Sequence, residues 1–407
     1  FSIGLKLDIR TLLRRDVWGG ASLHMLVSTL MLVAMFTALQ ALGLPLLAGV
    51  APTTLLLLAF ALSFSSTVFV VKVLEKRSET QTAYGRLAIG VLIMQDIFAV
   101  AFLTLSSGTL PSLWALGLVL LIPLAPAMRA LLDRLGHGEM QMLFGILLAL
   151  VLGYALFEAV GIKGDLGALI IGLLLAPHPA AQTLARSMFS LKELLLVGFF
   201  LSLGLTALPT WEQMGMAMLL VLLLPLKGIL YQLVFMRFRM RHRTSLLASL
   251  SLTNYSEFGL IVGAIAVGAD WLPAKWLVTL SLAVAVSFAV SSLLNAFNER
   301  LYRHIEARLP AIDTDTLSPS DRPIEVGNAE AVVLGMGRIG RSAYRRLQKE
   351  YGLQVLGIDS NPRSVAQLSE RGFNILEGDA VDSDFWDKLL MSPEVRMVVL
   401  AMPHHAG

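Results

Sequence analysis

Ser63-Phe64-Ser65-Ser66-Thr67 interrupts the apolar stretch 52–71, which is otherwise rich in Leu, Ala, Phe and Val. A run of about 20 apolar residues is what a helix needs to cross a bilayer. Four hydroxyl side chains in five positions compete for the backbone groups of that helix and favour a break in it. A second interruption, Thr253-Asn254-Tyr255-Ser256-Glu257, falls inside the apolar stretch 245–268. Two broken helices within one membrane chain decide the reading of everything around them.

Of the 407 residues, 56% are hydrophobic and 15% charged, with a mean hydropathy of +0.72. After a short apolar stub at 1–5, ten crossings are expected, near 18–44, 52–71, 87–107, 113–128, 141–160, 166–177, 194–208, 214–236, 245–268 and 276–297. The stretches 166–177 and 194–208 are short for full spans. The loops at 6–16, 72–86, 129–139, 178–192 and 237–243 hold 16 Lys and Arg, and the intervening loops hold 2. The positive-inside rule therefore puts the first set, and all that follows residue 297, in the cytoplasm. Cysteine is absent, which excludes disulfides and thiolate metal sites. The chain opens on Phe1 and stops after a fourth strand. It reads as a piece of a longer protein, without N-terminal helices and without the rest of its last domain.

With this orientation the two breaks run in opposite senses, 52–71 inward and 245–268 outward. Ser2-Ile3-Gly4-Leu5 is likewise echoed, in reverse orientation, by Ser202-Leu203-Gly204-Leu205. Inverted repeats with interrupted helices at matching positions point to a secondary transporter, because freed carbonyls and helix ends can replace an ion's hydration shell. The polar groups expected at such a site are Ser65, Ser66, Thr67 and Asn254.

Asp96 stands near the centre of 87–107, in Met94-Gln95-Asp96-Ile97. A carboxylate at the bilayer centre costs roughly 2.5–3.5 kcal/mol, so it normally lines a cavity or ion path. Burial favours its protonated form and a bound cation favours its ionised form, so one group can trade H⁺ for a metal ion. This makes Asp96, beside neutral Gln95, the expected site of K⁺ or Na⁺, with no tightly bound metal. Lys227 is central in 214–236 and either neutralises carbonyl ends of the breaks or pairs with Asp96. Glu257 is either a ligand or a helix-terminus partner.

Residues 299–329 read as a solvated linker, with Pro310, Pro319 and Pro323 among Ser, Thr and Asp. From 330 onward the pattern alternates β and α, as in a Rossmann-like domain. Gly335-Met336-Gly337-Arg338-Ile339-Gly340 follows a strand and opens a helix. Its G-x-G-x-x-G spacing lets a phosphate approach backbone N–H groups, here those of Arg338 and Ile339. Asp359 with Ser360 ends the next strand, where an acid accepts from ribose hydroxyls. Asp379-Ala380 follows the third strand. An adenine nucleotide, AMP or NAD(H), is the expected ligand.

With these residues in view, the chain resembles the Kef-type potassium/proton antiporters of the monovalent cation:proton antiporter-2 family, joined to a KTN/RCK domain. The resemblance rests on Phe1-Ser2-Ile3-Gly4-Leu5-Lys6-Leu7-Asp8, Ser65-Ser66-Thr67, Gly85-Arg86, Gln95-Asp96-Ile97, Leu166-Gly167-Ala168, 198–205 and Ser256-Glu257-Phe258. It implies the cation/proton antiporter fold over 1–298, with a helical core packed on a dimerisation domain, and a regulatory domain over 330–407. It also implies a homodimer in a bacterial inner membrane, in contact with lipid, with its soluble part in the cytoplasm and no nucleic-acid partner. Relatives gated by glutathione carry an acidic stretch before the Phe-Phe-Leu helix. Here that segment is Gln182-Thr183-Leu184-Ala185-Arg186-Ser187-Met188, without an acid, which argues against glutathione gating. Lys72 is a second departure, at the cytoplasmic vestibule.

The alternatives are a Na⁺/H⁺ antiporter, or a cation channel gated by the soluble domain. A potassium channel would need a carbonyl filter such as T-V-G-Y-G, and the chain has none. A membrane-tethered oxidoreductase would need a catalytic domain, for which only His404 and His405 offer candidates, so no enzyme is expected.

Overall fold

The computed structural model describes all residues except 6–13, 78, 81, 107–111, 136–137, 162–163, 207, 307–315, 319–320, 322–327, 360–361, 378–394 and 402–407. The helices are α1 (Ser2–Leu5), α2 (Arg15–Ala41), α3 (Pro52–Ser63), α4 (Thr67–Lys76), α5 (Ala83–Ser106), α6 (Leu121–Arg134), α7 (Glu139–Leu147), α8 (Leu156–Ala159) and α9 (Gly164–Leu175). They continue with α10 (Ala181–Thr206), α11 (Trp211–Leu222), α12 (Leu224–Arg237), α13 (His242–Leu252), α14 (Glu257–Gly268), α15 (Lys275–Ala296) and α16 (Asn298–Glu306). Then come β1 (Ala331–Leu334), α17 (Arg338–Glu350), β2 (Val355–Asp359), α18 (Pro362–Glu370), β3 (Ile375–Glu377) and β4 (Met397–Leu400).

Among the described residues, six helical spans are long and apolar enough to cross a membrane. The pair α13–α14, bent by 42°, makes a seventh. The chain is a multi-pass membrane protein. The stretch 194–208 is not a short crossing, because it is the second half of the 26-residue α10. Arg186, Lys192 and Glu193 make the first half look like a loop by composition, yet the helix continues through them. The turn before residue 181 is correspondingly short.

The chain divides into two compact units. The first comprises Phe1–Val70, Leu87–Phe238 and Ala248–Leu301. One apolar cluster in it surrounds the breaks and gathers Phe36, Leu58, Leu62, Leu220, Leu260 and Trp276. Another joins α1 to α6–α10 through Leu5, Phe144, Phe157, Ile171 and Leu184. Helices α1 and α9 meet backbone to backbone. A Cβ on Gly4 would lie 2.3 Å from the Leu169 carbonyl oxygen, and one on Gly172 would lie 2.2 Å from that of Phe1. Only glycine permits this approach, as is common where membrane helices pack.

The second unit comprises Val71–Arg86, Arg239–Leu247 and Tyr302–Gly407. Its sheet is parallel, in the order β3-β2-β1-β4, the first half of a doubly wound Rossmann order. Residues 385–390, where the sequence reads as the third helix of this domain, lie outside the described residues. The linker is not wholly solvated. Its first residues form α16, and Leu317 and Asp321 are buried. Asp321 accepts from the Arg241 backbone N–H at 2.7 Å, from Arg241 Nε at 2.9 Å and from the Thr244 hydroxyl at 2.9 Å. The Ser318 N–H donates to the Arg239 carbonyl at 2.8 Å. An Asp among Ser, Thr and Pro looks solvated by composition. Three donors converging on it are what make its burial tolerable.

Candidate functional site

A helix break frees backbone groups that lipid cannot satisfy, so each must find a partner inside the protein. In the first break the Ser65 N–H donates to Gln95 Oε1 at 3.0 Å and the Ser66 N–H donates to Asn254 Oδ1 at 2.7 Å. The freed carbonyls of Leu62 and Phe64 accept from Lys227 Nζ at 3.2 and 2.6 Å. In the second break the Leu252 carbonyl accepts from Ser65 Oγ at 2.7 Å, and the Asn254 carbonyl accepts from Lys227 Nζ at 2.8 Å. The Tyr255 N–H donates to Ser287 Oγ at 3.1 Å, and Ser256 Oγ caps α14 by accepting from the Phe258 N–H at 3.2 Å. The two polar runs therefore lie against each other, with Lys227 between their carbonyl ends.

Lys227 uses three N–H donors, the full complement of an ammonium. Of the two roles expected for it, this geometry is that of a cap on carbonyl ends. The Tyr255 ring adds a face, its centroid 5.2 Å from Nζ. Asp96, on α5, is buried at 2% exposure, and Asp96 Oδ2 accepts from the Thr67 hydroxyl at 3.0 Å. Thr67 is the first residue of α4, so the carboxylate meets the N-terminal end of a half-helix. Glu257 is also buried and opens α14, where the helix dipole favours an acid. All eight residues expected at the membrane site lie on or against the two breaks.

Two residues at this place were not singled out from sequence. The Tyr231 hydroxyl accepts from Gln95 Nε2 at 2.8 Å and shares a hydrogen bond with Ser65 Oγ at 3.0 Å. It lies one turn after Lys227 on α12, a spacing that could have revealed it. His24, on α2, stacks on Tyr231 with centroids 3.3 Å apart. A lone His amid Ala, Met and Leu was the only signal.

Asp96 and Thr67 offer oxygen, the donor type that hard cations take. Among the described residues no group of three or more His, Cys, Asp and Glu is arranged to hold a metal. One carboxylate with hydroxyl and amide neighbours suits a weakly held monovalent cation better than a tightly bound divalent one.

In the second unit Gly335 takes φ +87°, and a Cβ on Gly340 would fall 1.8 Å from the Gly335 carbonyl oxygen. These two glycines are required by the strand-to-helix turn itself. Gly337 differs, because a Cβ there would meet nothing within 4 Å. It is the N-cap of α17 and offers no side-chain cap to the helix's first N–H groups. Open space before an uncapped helix N-terminus suits a phosphate. Asp359 has a structural duty that its spacing did not show, since Asp359 Oδ2 accepts from the Met336 N–H at 2.8 Å. Ser360, Asp379 and Ala380 lie outside the described residues.

Two helix breaks that meet beside a buried carboxylate, in a multi-pass membrane chain, are the arrangement found in secondary transporters. The chain matches the model of the transmembrane sodium/hydrogen exchanger family over residues 1–296 and that of the TrkA-N domain over 331–407. It belongs to the sodium/hydrogen exchanger family and carries a Rossmann-like, nucleotide-binding TrkA-N domain. It is 28% identical over 406 residues to the glutathione-regulated potassium-efflux system protein KefC of Cronobacter sakazakii. It is 29% identical over 407 residues to KefC of Klebsiella pneumoniae subsp. pneumoniae, and 29% over 408 residues to KefC of Salmonella typhi. Each match covers 94% of this chain and 62% of the relative, so the chain spans under two thirds of these proteins' length.

Proposed function

We propose that this chain is the membrane core, with the start of the regulatory domain, of an antiporter that exchanges K⁺ for H⁺ across a bacterial inner membrane. The observation that carries the reading is Asp96, buried and bonded to Thr67 where two helix breaks meet. Protonated, the carboxyl is neutral and tolerable in a low-dielectric site. Ionised, it needs a cation beside it. The two forms exclude each other, which couples the fluxes. The relatives' names support K⁺ over Na⁺. Those names also include glutathione. Residues 182–188, inside α10, hold no acid, and we assign no glutathione site. The protein works as a homodimer, and the TrkA-N domain takes AMP or NAD(H) on the Arg338 and Ile339 N–H groups, for regulation.

The test is proton movement from proteoliposomes under K⁺ or Na⁺ gradients. The parent should move protons in response to K⁺, and Asp96→Asn should assemble but lose coupled exchange. Substantial K⁺-driven proton movement by Asp96→Asn would sink the reading.

A further inference from the structure

His24 is a buried titratable group that the exchange just described leaves unused. It is fully buried, and neither ring nitrogen has a hydrogen-bond partner among the described residues. The ring lies flat on Tyr231, with an interplanar angle of 6°. The Lys227 backbone carbonyl interacts with it but sits outside hydrogen-bonding geometry. If His24 served only to cover Tyr231, Phe would do so without desolvating two polar nitrogens. Buried polar atoms left without protein partners call for an explanation, and a catalytic or binding role is one.

The chemistry of the ring narrows that account. Alkali cations take oxygen ligands, so imidazole nitrogen is a poor ligand for the transported ion. Free imidazole accepts a proton near neutral pH, and at His24 that proton has to enter a buried site beside the Lys227 ammonium. The groups that face it are few. Helix α12 presents Tyr231, stacked on the ring, and Lys227, whose charge acts on it. Helix α3 and the 45–47 turn, also packed on α2, carry no titratable residue. An imidazolium at His24 would be a second positive charge beside the Lys227 ammonium, in a site that must also admit a cation. Like charges in a low-dielectric interior repel strongly.

We propose that His24 is a second proton-binding site of the ion site, and that a proton there excludes the transported cation. The proposal rests on the antiport reading. Asp96 still exchanges its proton for a cation one for one. The His24 proton is a competitor and need not cross the membrane.

The test is the pH dependence of the apparent KM for K⁺, taken from initial proton flux in proteoliposomes between about pH 4 and 8.5, a range that extends well to the acid side of free imidazole titration. Two competing protons make log KM rise by about 2 per pH unit on the acid side, and one makes it rise by about 1. The parent should approach a slope of two. His24→Gln and His24→Asn should both fall toward one, with KM at acid pH lowered about tenfold for each unit below the midpoint. A residue that only packs would change the maximal rate at every pH and leave the slope alone. A parent slope of one overturns the proposal without any variant, and so does a slope of two in either variant. A parent without cation-driven proton flux overturns the antiport reading, and this proposal with it.

Discussion

The Ser66 amide donates to the Asn254 side-chain oxygen at 2.7 Å, so one helix break supplies the acceptor that the other lacks. The Asn254 amide nitrogen in turn donates to the Ser251 carbonyl at 2.8 Å, which fixes which end of the amide faces Ser66. Neither break is satisfied alone.

Asn254→Ala removes both contacts and takes from the buried Ser66 N–H the acceptor it uses. An unsatisfied buried group costs about 1–3 kcal/mol. Hydrogen bonds between membrane helices average only about 0.6 kcal/mol, because partners exchange easily. The Ser66 N–H sits in a helix break, buried away from water, so a loss toward the larger figure is expected. Thermal unfolding in detergent should show a clear loss, and transport should fall with it. Asn254→Asp keeps the acceptor and should hold the Ser66 contact, while placing a negative charge near Lys227. If Asn254→Ala unfolds like the parent, the breaks do not depend on this bond.

Lys227→Met removes the donor shared by the Leu62, Phe64 and Asn254 carbonyls. Each hydrogen bond to a charged group is worth about 1.5–3 kcal/mol, and relief from burying the ammonium offsets part of the sum. A net loss of about 2–4 kcal/mol should remain, read as a lower unfolding temperature. Lys227→Arg should not restore it, because a planar guanidinium cannot aim at three convergent carbonyls as an ammonium does. Full stability in Lys227→Arg would show that charge alone matters and that the three-way geometry does not.

The architecture was legible because membrane helices need length and apolarity, and because polar runs inside them are rare. Both breaks, Asp96, Lys227 and Gln95 stood out against an apolar background. Tyr231 and His24 did not, since aromatic and isolated polar residues are ordinary on a buried helix face, and only the fold brings α2, α5 and α12 together. The extent of α10 was hidden for a related reason: Arg186 and Lys192 end an apolar run without ending a helix. Asp321 was read by its neighbours, whereas its burial is decided by Arg241 and Thr244, some 80 residues earlier in the chain.

Exchange should be electrically silent. Asp96 is the acid centred in its helix, and its neighbour Gln95 is an amide committed to Ser65 and Tyr231. One carboxyl can trade one proton for one monovalent cation. Current on a supported membrane should stay near zero while pH changes proceed. A large current that reverses with membrane potential would mean a second charge moves.

Asp321→Ala strips the carboxylate from the Arg241 backbone N–H, its guanidinium and Thr244. Breaking a fully buried ion pair costs about 3–5 kcal/mol. The Arg241 side chain keeps 14% of its exposure, so about 2–3 kcal/mol is expected here. The loss should appear as faster proteolysis next to residues 316–318 and 321 and as weaker protection of amides near residues 239–245 in hydrogen exchange. Asp321→Asn should recover little, since its NH₂ faces donors. Unchanged cleavage in both variants would mean that the contact does not hold the segment.

In the nucleotide domain the two sequence-selected positions should now behave differently. Gly337 lies before the uncapped start of α17, and a Cβ there meets no protein atom within 4 Å. Gly337→Val should therefore leave the unfolding temperature of the empty protein nearly unchanged while blocking the space a phosphate needs. Asp359 serves two ends, because it holds the Met336 N–H as well as facing the expected ribose. Removing the acceptor of a buried donor costs about 1–3 kcal/mol, which is roughly 5- to 150-fold in affinity where the lost partner is a ribose hydroxyl. Asp359→Ala should lower both the unfolding temperature of the empty protein and its affinity for AMP and NADH. Calorimetric titration with each nucleotide, paired with thermal unfolding without ligand, separates the two. A 2′-phosphate would place charge against Asp359, so NADPH should bind more weakly than NADH to the parent, and the gap should narrow in Asp359→Ala. If both variants bind AMP and NADH as tightly as the parent, the glycines and the acid shape the turn and hold no nucleotide.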